Sequence, residues 1–212
     1  MRLRSTLPAT VLAGALLTGC GATGPGTPEP ATEIPDDFPL AAGMAGPQDG
    51  LATSRTGTGL RDLRLCGTAP LRGLGIRDRM VADNSGGESA DTRELVLLGN
   101  REEAVLVAQA FADLPSRCPS PVVSRDMATL TEVRGSPFGP SPASTLLQTY
   151  TFDGRRGTGA TVVHVVPVGA ALLVTSTYGQ WTTDTLDDGV DRTVEAARPA
   201  VDEMCVFTTT GC

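Results

Sequence analysis

The stretch STLLQTYTFDGRRGTGATVVHVVPVGAALLVTSTY (residues 144–178) decides the fold of this chain. Threonine, valine, tyrosine and phenylalanine dominate its apolar segments and glycine separates them, a pattern typical of strands joined by tight turns. We therefore predict a three-stranded meander with strands at 144–152, 160–168 and 170–178. The middle segment is apolar almost throughout, which indicates a central strand. Pro167 lies near its end, where a missing N–H is tolerated.

The elements around the meander complete an α+β fold. Segments 77–84 and 92–99 flank a polar connection with two glycines and predict a β-hairpin. Asn100 is expected to cap a helix over 101–114. Near the C-terminus, apolar residues at helical spacing predict a second main helix, which Pro199 kinks or splits. The predicted architecture is an antiparallel sheet, made of the hairpin and the meander, packed on two main helices.

The two predicted helices each carry one apolar face. The buried face of the first helix is expected to consist of Ala104, Val107, Ala108, Phe111 and Leu114. That of the second helix is expected to consist of Leu186, Val190, Val194, Ala197, Val201 and Met204.

The N-terminus, MRLRSTLPATVLAGALLTGC, has the form of an export signal. Two arginines precede an apolar run at 7–17, about half the ~20 residues of a transmembrane helix. The sequence Leu-Thr-Gly-Cys at 17–20 resembles the bacterial lipobox. That resemblance implies removal of residues 1–19 and a lipid on Cys20, which anchors the chain to the outer face of the cytoplasmic membrane because two acyl chains hold stably. The alternative is an ordinary secretory signal followed by a stray cysteine.

Composition divides the mature chain into a tether and one domain. Residues 20–35 comprise the lipidated cysteine and a segment rich in proline and glycine that buries too little to fold. Residues 36–212 have the size of a single extracytoplasmic domain, which we expect to be monomeric.

The chain is acidic, with a formal net charge of −7. Residues 1–19 contain two arginines and no acid, so their removal leaves −9. This balance argues against binding nucleic acid, or anionic lipid, through bulk charge. Every basic residue is arginine, and the overall composition suggests a GC-rich genome such as an actinobacterial one.

Five cysteines would leave one thiol unpaired in an exported protein, unless Cys20 carries lipid. The other four, Cys66, Cys118, Cys205 and Cys212, then form an even set in an oxidising compartment. They allow three pairings, of which we favour Cys66–Cys118 and Cys205–Cys212. The alternative of a metal site is disfavoured because the spacings of 52, 87 and 7 residues match no C-x₂-C pattern.

No catalytic set is apparent, and no metal or other cofactor is expected. His164 is the sole histidine and lies in mid-strand, without a G-x-S-x-G motif elsewhere, which favours a structural role over catalysis. The glycine-rich GRRGTG at 154–159 places Arg155 and Arg156 where they could meet an anion, but its position between two strands favours a hairpin turn.

Four acids cluster at the start of the last helix. They could hold calcium, but the EF-hand order is absent, and a solvated helix N-terminus is the favoured interpretation. These acids are Asp184, Asp187, Asp188 and Asp191.

Tyr178 and Trp181, in the strand-to-helix connection TYGQWTT at 177–183, are the aromatic candidates for contact with a ligand or partner. Plain packing at the rim of the core is the alternative. A deep cleft lined by the two rings would favour a ligand, and an exposed aromatic patch would favour docking of another protein.

The order of these parts resembles actinobacterial sensor-domain lipoproteins, which are related to the extracellular sensor domain of mycobacterial receptor-type Ser/Thr protein kinases. The residues that carry the resemblance are Cys66, FADLPSRC (111–118), TVVHVVPVGAALLVTSTYGQ (161–180) and AARPAVDEMCVF (196–207). The resemblance spans about residues 60–212 and implies an α+β domain with two disulfides and a cleft for a small ligand. It carries over no functional residue, and the sequence departs from those receptors in having no kinase domain.

These observations lead to one leading expectation and two alternatives. The protein is expected to be a lipid-anchored, non-catalytic domain that binds a small ligand or a component of the cell envelope. The first alternative is an accessory lipoprotein that docks another envelope protein. The second is a hydrolase that uses His164.

Overall fold

Eight antiparallel strands, counted among the described residues, form one sheet in the order β1-β2-β3-β8-β7-β6-β5-β4. The computed structural model describes residues 29–44, 51–86, 89–118, 121–124 and 126–209. The strands are β1 (Thr53–Ser54), β2 (Asp78–Gly86), β3 (Ser89–Leu97), β4 (Val122–Ser124), β5 (Met127–Gly135), β6 (Ser144–Phe152), β7 (Arg155–Val168) and β8 (Ala171–Gly179). The helices are α1 (Arg101–Ala112), α2 (Leu114–Arg117) and α3 (Leu186–Glu203), and a 3₁₀ turn, Met204–Phe207, follows α3.

The predicted meander is confirmed as β6, β7 and β8. β7 pairs with both neighbours and lies in the interior of the sheet, as its apolar sequence predicts. The predicted hairpin is also confirmed, as β2 and β3, although both strands extend further into the polar connection than expected. The sequence patterns do not predict strands β1, β4 and β5, and β5 lacks a strong apolar signal because only one of its nine residues is buried.

Helix α1 packs on one face of the sheet. The side chain of Asn100 accepts a hydrogen bond from the amide of Glu103, which confirms the predicted cap. The buried side chains of α1 and α2 meet those of β3, β6, β7 and β8 in a cluster that includes Ala108, Phe111 and Leu114. The residues at 3- and 4-residue spacing therefore form the buried face that the sequence indicates.

Helix α3 covers the opposite face together with residues 29–44. Ile34, Phe38 and Leu40 are buried there against Met204 and Phe207. Of the two effects expected of Pro199, a kink or a split, the split is wrong, because α3 runs unbroken through it. Pro199 and the residue four positions before it, Glu195, both lie on the exposed side, where water can satisfy the carbonyl that proline leaves unbonded.

One of the two predicted disulfides is present among the described residues. Cys66 and Cys118 are bonded, and they tie the segment before β2 to the end of α2. Cys212, the predicted partner of Cys205, lies outside the described residues, so the second pairing stays a prediction. The predicted signal peptide and Cys20 also lie outside them. No helix in the described part of the chain is both long enough and apolar enough to cross a membrane.

Candidate functional site: a cleft beside helix α3

A row of polar side chains crosses the sheet beneath α3. Arg93 of β3 pairs in register with Thr175 of β8, which pairs with His164 of β7, which pairs with Thr145 of β6. All four side chains are buried between the sheet and the α3 layer. The sequence places them on one face because alternate residues of neighbouring strands share a face. The row forms a polar floor in an otherwise apolar layer.

The hydrogen bonds of His164 determine which ring nitrogen carries the proton. The hydroxyl of Thr193 on α3 donates to the carbonyl of Val190 at 2.7 Å, so its oxygen accepts from Nε2–H of His164 at 2.8 Å. Nδ1 then accepts from the hydroxyl of Thr145 at 2.9 Å. Both nitrogens of the neutral ring are therefore satisfied, and His164 joins the sheet to α3.

The surroundings of His164 favour the neutral ring. Burial, and to a lesser degree the positive charge of Arg93, lower the pKa of His164 to about 4. The edge of the ring also meets Phe138, with ring centroids 5.2 Å apart in a T-shaped arrangement. The ring is bonded to two threonine hydroxyls rather than to a nucleophile and a carboxylate, so this geometry lacks the orienting acid that a catalytic triad uses.

Two polar atoms of the same row have no protein hydrogen-bond partner among the described residues. They are Nε of Arg93 and Oγ1 of Thr175, which belong to paired residues of β3 and β8. The guanidinium of Arg93 is otherwise held by the carbonyls of Leu40 and Ala42, at 3.2 and 2.7 Å. The polar floor is therefore well bonded at its His164 end and incompletely bonded at its Arg93 end.

A concave site of about 460 Å³ opens between the ends of β3 and β8 and the first half of α3. We call it the α3 cleft. It is lined chiefly by Asp91, Thr177, Tyr178, Trp181, Arg192 and Thr193. Thr193 is the residue that holds His164, so the polar row and the cleft share a wall.

Tyr178 and Trp181 both line the α3 cleft, and both are half-buried. The indole of Trp181 lies between Gly179 and Gly189, where a Cβ atom at either position would come within 2.6 Å of the ring. Tyr178 packs over Gly159 and lies 6.4 Å from the ring of Tyr150, measured between centroids. Tyr178 and Trp181 therefore both pack against the protein and line the cleft. The two interpretations from the sequence, packing at the rim of the core and contact with a ligand, are compatible.

The charged groups of the cleft are Asp91 and Arg192. Oδ1 of Asp91 accepts from the hydroxyl of Thr177 at 3.1 Å, and Oδ2 lies 3.5 Å from Nη2 of Arg93. Burial raises the pKa of Asp91, although Arg93 and Thr177 oppose the shift. Arg192 is exposed and donates from Nε to the carbonyl of Asp188 at 3.2 Å. The cleft thus offers a carboxylate acceptor opposite a guanidinium donor.

No motif in the sequence singles out Asp91, Arg93 or Arg192. A signal was available for Arg93, because Arg93 and Glu94 directly precede the apolar residues 95–97 of β3 and charged residues in a buried strand require partners. The register that brings Asp91 beside Thr177, 86 residues later in the chain, depends on the pairing of β3 with β8.

Arg155 and Arg156 do not join Tyr178 and Trp181 in the cleft. Both arginines are exposed at the start of β7, opposite Phe152 and Thr151 in the β6–β7 hairpin. Arg156 lines a small separate cavity beside Trp181. The hairpin is confirmed, but the turn consists of Asp153 and Gly154 only, and residues 155–159, predicted to be part of the turn, belong to strand β7.

The acids at the start of α3 do not gather into a metal site. No group of three or more histidine, cysteine or acidic residues with the spacing to hold a metal occurs within the residues that the structure describes. Asp187 instead pairs with Arg134 at 2.7 Å.

Comparison with known proteins shows distant similarity only. No family model matches the chain, and no curated protein matches it. It is similar in structure to the extracellular domain of PknH from Mycobacterium tuberculosis, with 16% identity and a TM-score of 0.46, covering 64% of this chain and 68% of that one. It is also similar to CalU16 from Micromonospora echinospora, with 10% identity and a TM-score of 0.22, covering 61% of this chain and 90% of that one. At these values neither likeness identifies a ligand or a site residue here.

Proposed function

We propose that this protein is a lipid-anchored, extracytoplasmic binding domain that holds a small ligand or a component of the cell envelope in the α3 cleft. The observation that carries the proposal is the position of Tyr178 and Trp181, which line a concave site rather than a protruding patch. The volume of about 460 Å³ falls in the range of small-molecule sites. The anchor and the location rest on the N-terminal sequence.

The chemistry of the cleft limits the ligand. An aromatic wall accepts the apolar face of a molecule, while Asp91 accepts hydrogen bonds and Arg192 donates them. Asn84, Ser89 and Gln180 also line the site. A neutral or zwitterionic molecule with hydroxyl, amide or amine groups fits this set better than a strongly charged or purely apolar one.

The two alternative functions are less well supported by the geometry. Docking of another envelope protein through Tyr178 and Trp181 would require the rings to stand out from the surface, and both are half-buried. Catalysis by His164 would require an accessible ring nitrogen, and both nitrogens bond to buried threonines. A non-catalytic role therefore fits the site best.

Native mass spectrometry of the protein from an oxidising host tests the proposal. We expect a reproducible mass surplus that disappears on denaturation and identifies the ligand. Asp91→Asn and Arg192→Gln should reduce the occupied fraction, because each removes a charge from the cleft.

Arg155→Gln is the matched control, since it removes the same charge from an exposed position outside the cleft. A surplus that is equal in all variants would place the ligand elsewhere. If the mass is that of the protein alone, even after incubation with envelope extract, docking of another envelope protein would become the better supported function.

A further inference from the structure

A second pocket, of about 500 Å³, lies at the other end of strand β3 from the α3 cleft, beside the first residues of β2. Four arginines contribute to its wall, together with one carboxylate among the residues that the structure describes, that of Asp78. We call it the arginine pocket. Its arginines are Arg55, Arg61, Arg77 and Arg79, and its apolar side chains are Leu71, Leu74 and Ile76.

Two of the four arginines are neutralised within the protein. Arg55 reaches both oxygens of Asp78 through Nη1, at 2.5 and 2.6 Å, and Asp36 through Nη2 at 2.7 Å. Arg79 bonds Glu94 from Nε and Nη2, at 3.0 and 2.9 Å, and donates to the carbonyl of Gly57. These ion pairs occupy the carboxylates of Asp36, Asp78 and Glu94 and hold the guanidinium groups of Arg55 and Arg79 in place.

Arg61 and Arg77 keep uncompensated charges. Both side chains are exposed, and neither forms an ion pair with a carboxylate in the part of the chain that the structure describes. The four arginines outnumber by one the carboxylates paired with them, those of Asp36, Asp78 and Glu94, so the pocket and its ion-pair partners carry a net charge of +1 in a chain whose net charge is −7. Residues 55–79 hold six of the seventeen basic residues and only two acids, so the surplus is a local feature that the total charge conceals.

Backbone donors add to the same wall. Gly73 has a φ of +79°, and a Cβ atom there would meet nothing within 4 Å. The amides of Gly73 and Leu74, which both line the pocket, donate to no acceptor within the described residues. Successive free N–H groups in a turn form a concavity that suits an anion.

We propose that the arginine pocket is a binding site for a phosphate or phosphodiester group, independent of the α3 cleft. Guanidinium groups bind phosphate oxygens through paired hydrogen bonds, which suits Arg61 and Arg77. Leu74 and Ile76, which are partly buried, provide an apolar surface for the carbon atoms of an ester. The phosphate could belong to a soluble molecule or to an anionic lipid headgroup, and the two sources require separate measurements.

The test uses the full chain with Cys20→Ser, so that no lipid on Cys20 carries it to a membrane. Inorganic phosphate is the first probe. Its binding is measured as a rise in the midpoint of thermal unfolding, because a ligand that binds the folded state stabilises it. Vesicles of phosphatidylglycerol and phosphatidylcholine are the second probe, and binding of the protein to them is measured by co-sedimentation. The test variant is Arg61→Gln/Arg77→Gln and the control is Arg155→Gln/Arg156→Gln, which removes the same charge from the exposed β6–β7 hairpin. All variants share one N-terminus, so differences between them report on the arginines.

We expect the control to follow the parent protein, and the test variant to need at least about tenfold more phosphate for the same rise, because two charge-assisted contacts are lost. If vesicle binding falls in the test variant as well, the proposal is supported and the source is a lipid headgroup. If only the phosphate response falls, the proposal is supported and the source is soluble. The proposal is overturned if the parent protein binds neither probe, or if the test variant and the control respond alike.

Discussion

Nε2 of His164 lies 2.8 Å from Oγ1 of Thr193, and this buried contact joins the central strand β7 to helix α3. The hydroxyl of Thr193 already donates to the carbonyl of Val190, so the imidazole must be the donor in the contact. The sole histidine of the chain is thus held in one neutral form by its neighbours. Because Thr193 also lines the α3 cleft, the same contact supports a wall of the candidate site.

The first prediction concerns the titration of His164. Its ring signals should titrate in the folded protein with a midpoint near 4, well below the ordinary value of 6.5, because burial and Arg93 disfavour the charged ring. Heteronuclear NMR measures this without ambiguity, since the chain has one histidine. The same residue in urea serves as the control and should titrate normally. A folded-state midpoint of 6 or above would contradict the buried, neutral ring.

The low pKa also makes stability depend on pH with a definite sign. Between about pH 4 and 6.5 the unfolded chain binds a proton at His164 and the folded chain does not, so the free energy of unfolding rises with pH across this window. The full difference is about 3 kcal/mol on the basis of 1.36 kcal/mol per pKa unit. Urea unfolding should show a weaker dependence in His164→Gln over the same window.

The second prediction concerns Thr193. Thr193→Val keeps the shape of the side chain but leaves Nε2–H of His164 buried without an acceptor, which should lower the free energy of unfolding by roughly 1–3 kcal/mol. Thr193→Ser retains the hydroxyl and should lose less. Thr183→Val, at an exposed position, is the matched control and should change stability by less than about 0.5 kcal/mol. Equal stability of Thr193→Val and the parent protein would show that the hydrogen bond has no energetic role.

The third prediction compares a buried and an exposed ion pair. Glu94 accepts from Arg79 and from the amide of Leu60, with a side chain only 1% exposed, whereas Asp62 pairs with Arg72 at the surface. Glu94→Gln should cost about 3 kcal/mol because it leaves the Arg79 guanidinium buried without its counter-charge. Asp62→Asn should cost less than about 1 kcal/mol. Chemical denaturation of the two variants checks the difference, and similar losses would contradict it.

The fourth prediction concerns the Cys66–Cys118 disulfide. It closes a loop of 52 residues, for which the chain-entropy relation gives a stabilisation of about 4 kcal/mol. Cys66→Ala/Cys118→Ala should therefore lower the free energy of unfolding by up to that amount. Peptide mapping without reductant should recover the two cysteines in one linked peptide from the parent protein, and recovery of Cys66 linked to another cysteine would disprove the pairing.

The fifth prediction concerns the anchor. Cys20→Ser should move the protein from the membrane fraction to the soluble fraction, because the proposed anchor consists of acyl chains attached to that sulfur. Immunoblotting of fractionated cells measures the shift. Cys205→Ser, which leaves the N-terminus intact, should remain with the membrane. Retention of the Cys20→Ser variant in the membrane fraction would contradict lipidation as the means of anchoring.

Local sequence patterns are sufficient to predict an element whose formation depends on its own residues. The β-branched and aromatic residues of 144–178 and the glycines between them predict the meander. The apolar stripe of 101–114 predicts the face that α1 buries, because a period of 3.6 residues follows from helix geometry. Asn100 predicts the start of α1 for the same local reason. The short strand β4 and the half-exposed strand β5 were missed because little apolar surface marks them.

The functional surfaces depend instead on distant pairings, which a sequence pattern does not contain. Tyr178 and Trp181 are recognisable in the sequence, but the pairing of β3 with β8 brings Asp91 to them, and the packing of α3 brings Arg192. Likewise, the acidic total charge gave no sign that Arg61 and Arg77 would meet in one pocket without carboxylate partners. The sequence alone was enough to predict the meander, the hairpin and the two main helices, since each depends on neighbouring residues, and it leaves the lipid anchor as an expectation from the N-terminal motif. The tertiary structure decided which charges are neutralised and which face a cavity, because charges interact through space over a few ångströms, whatever their separation along the chain.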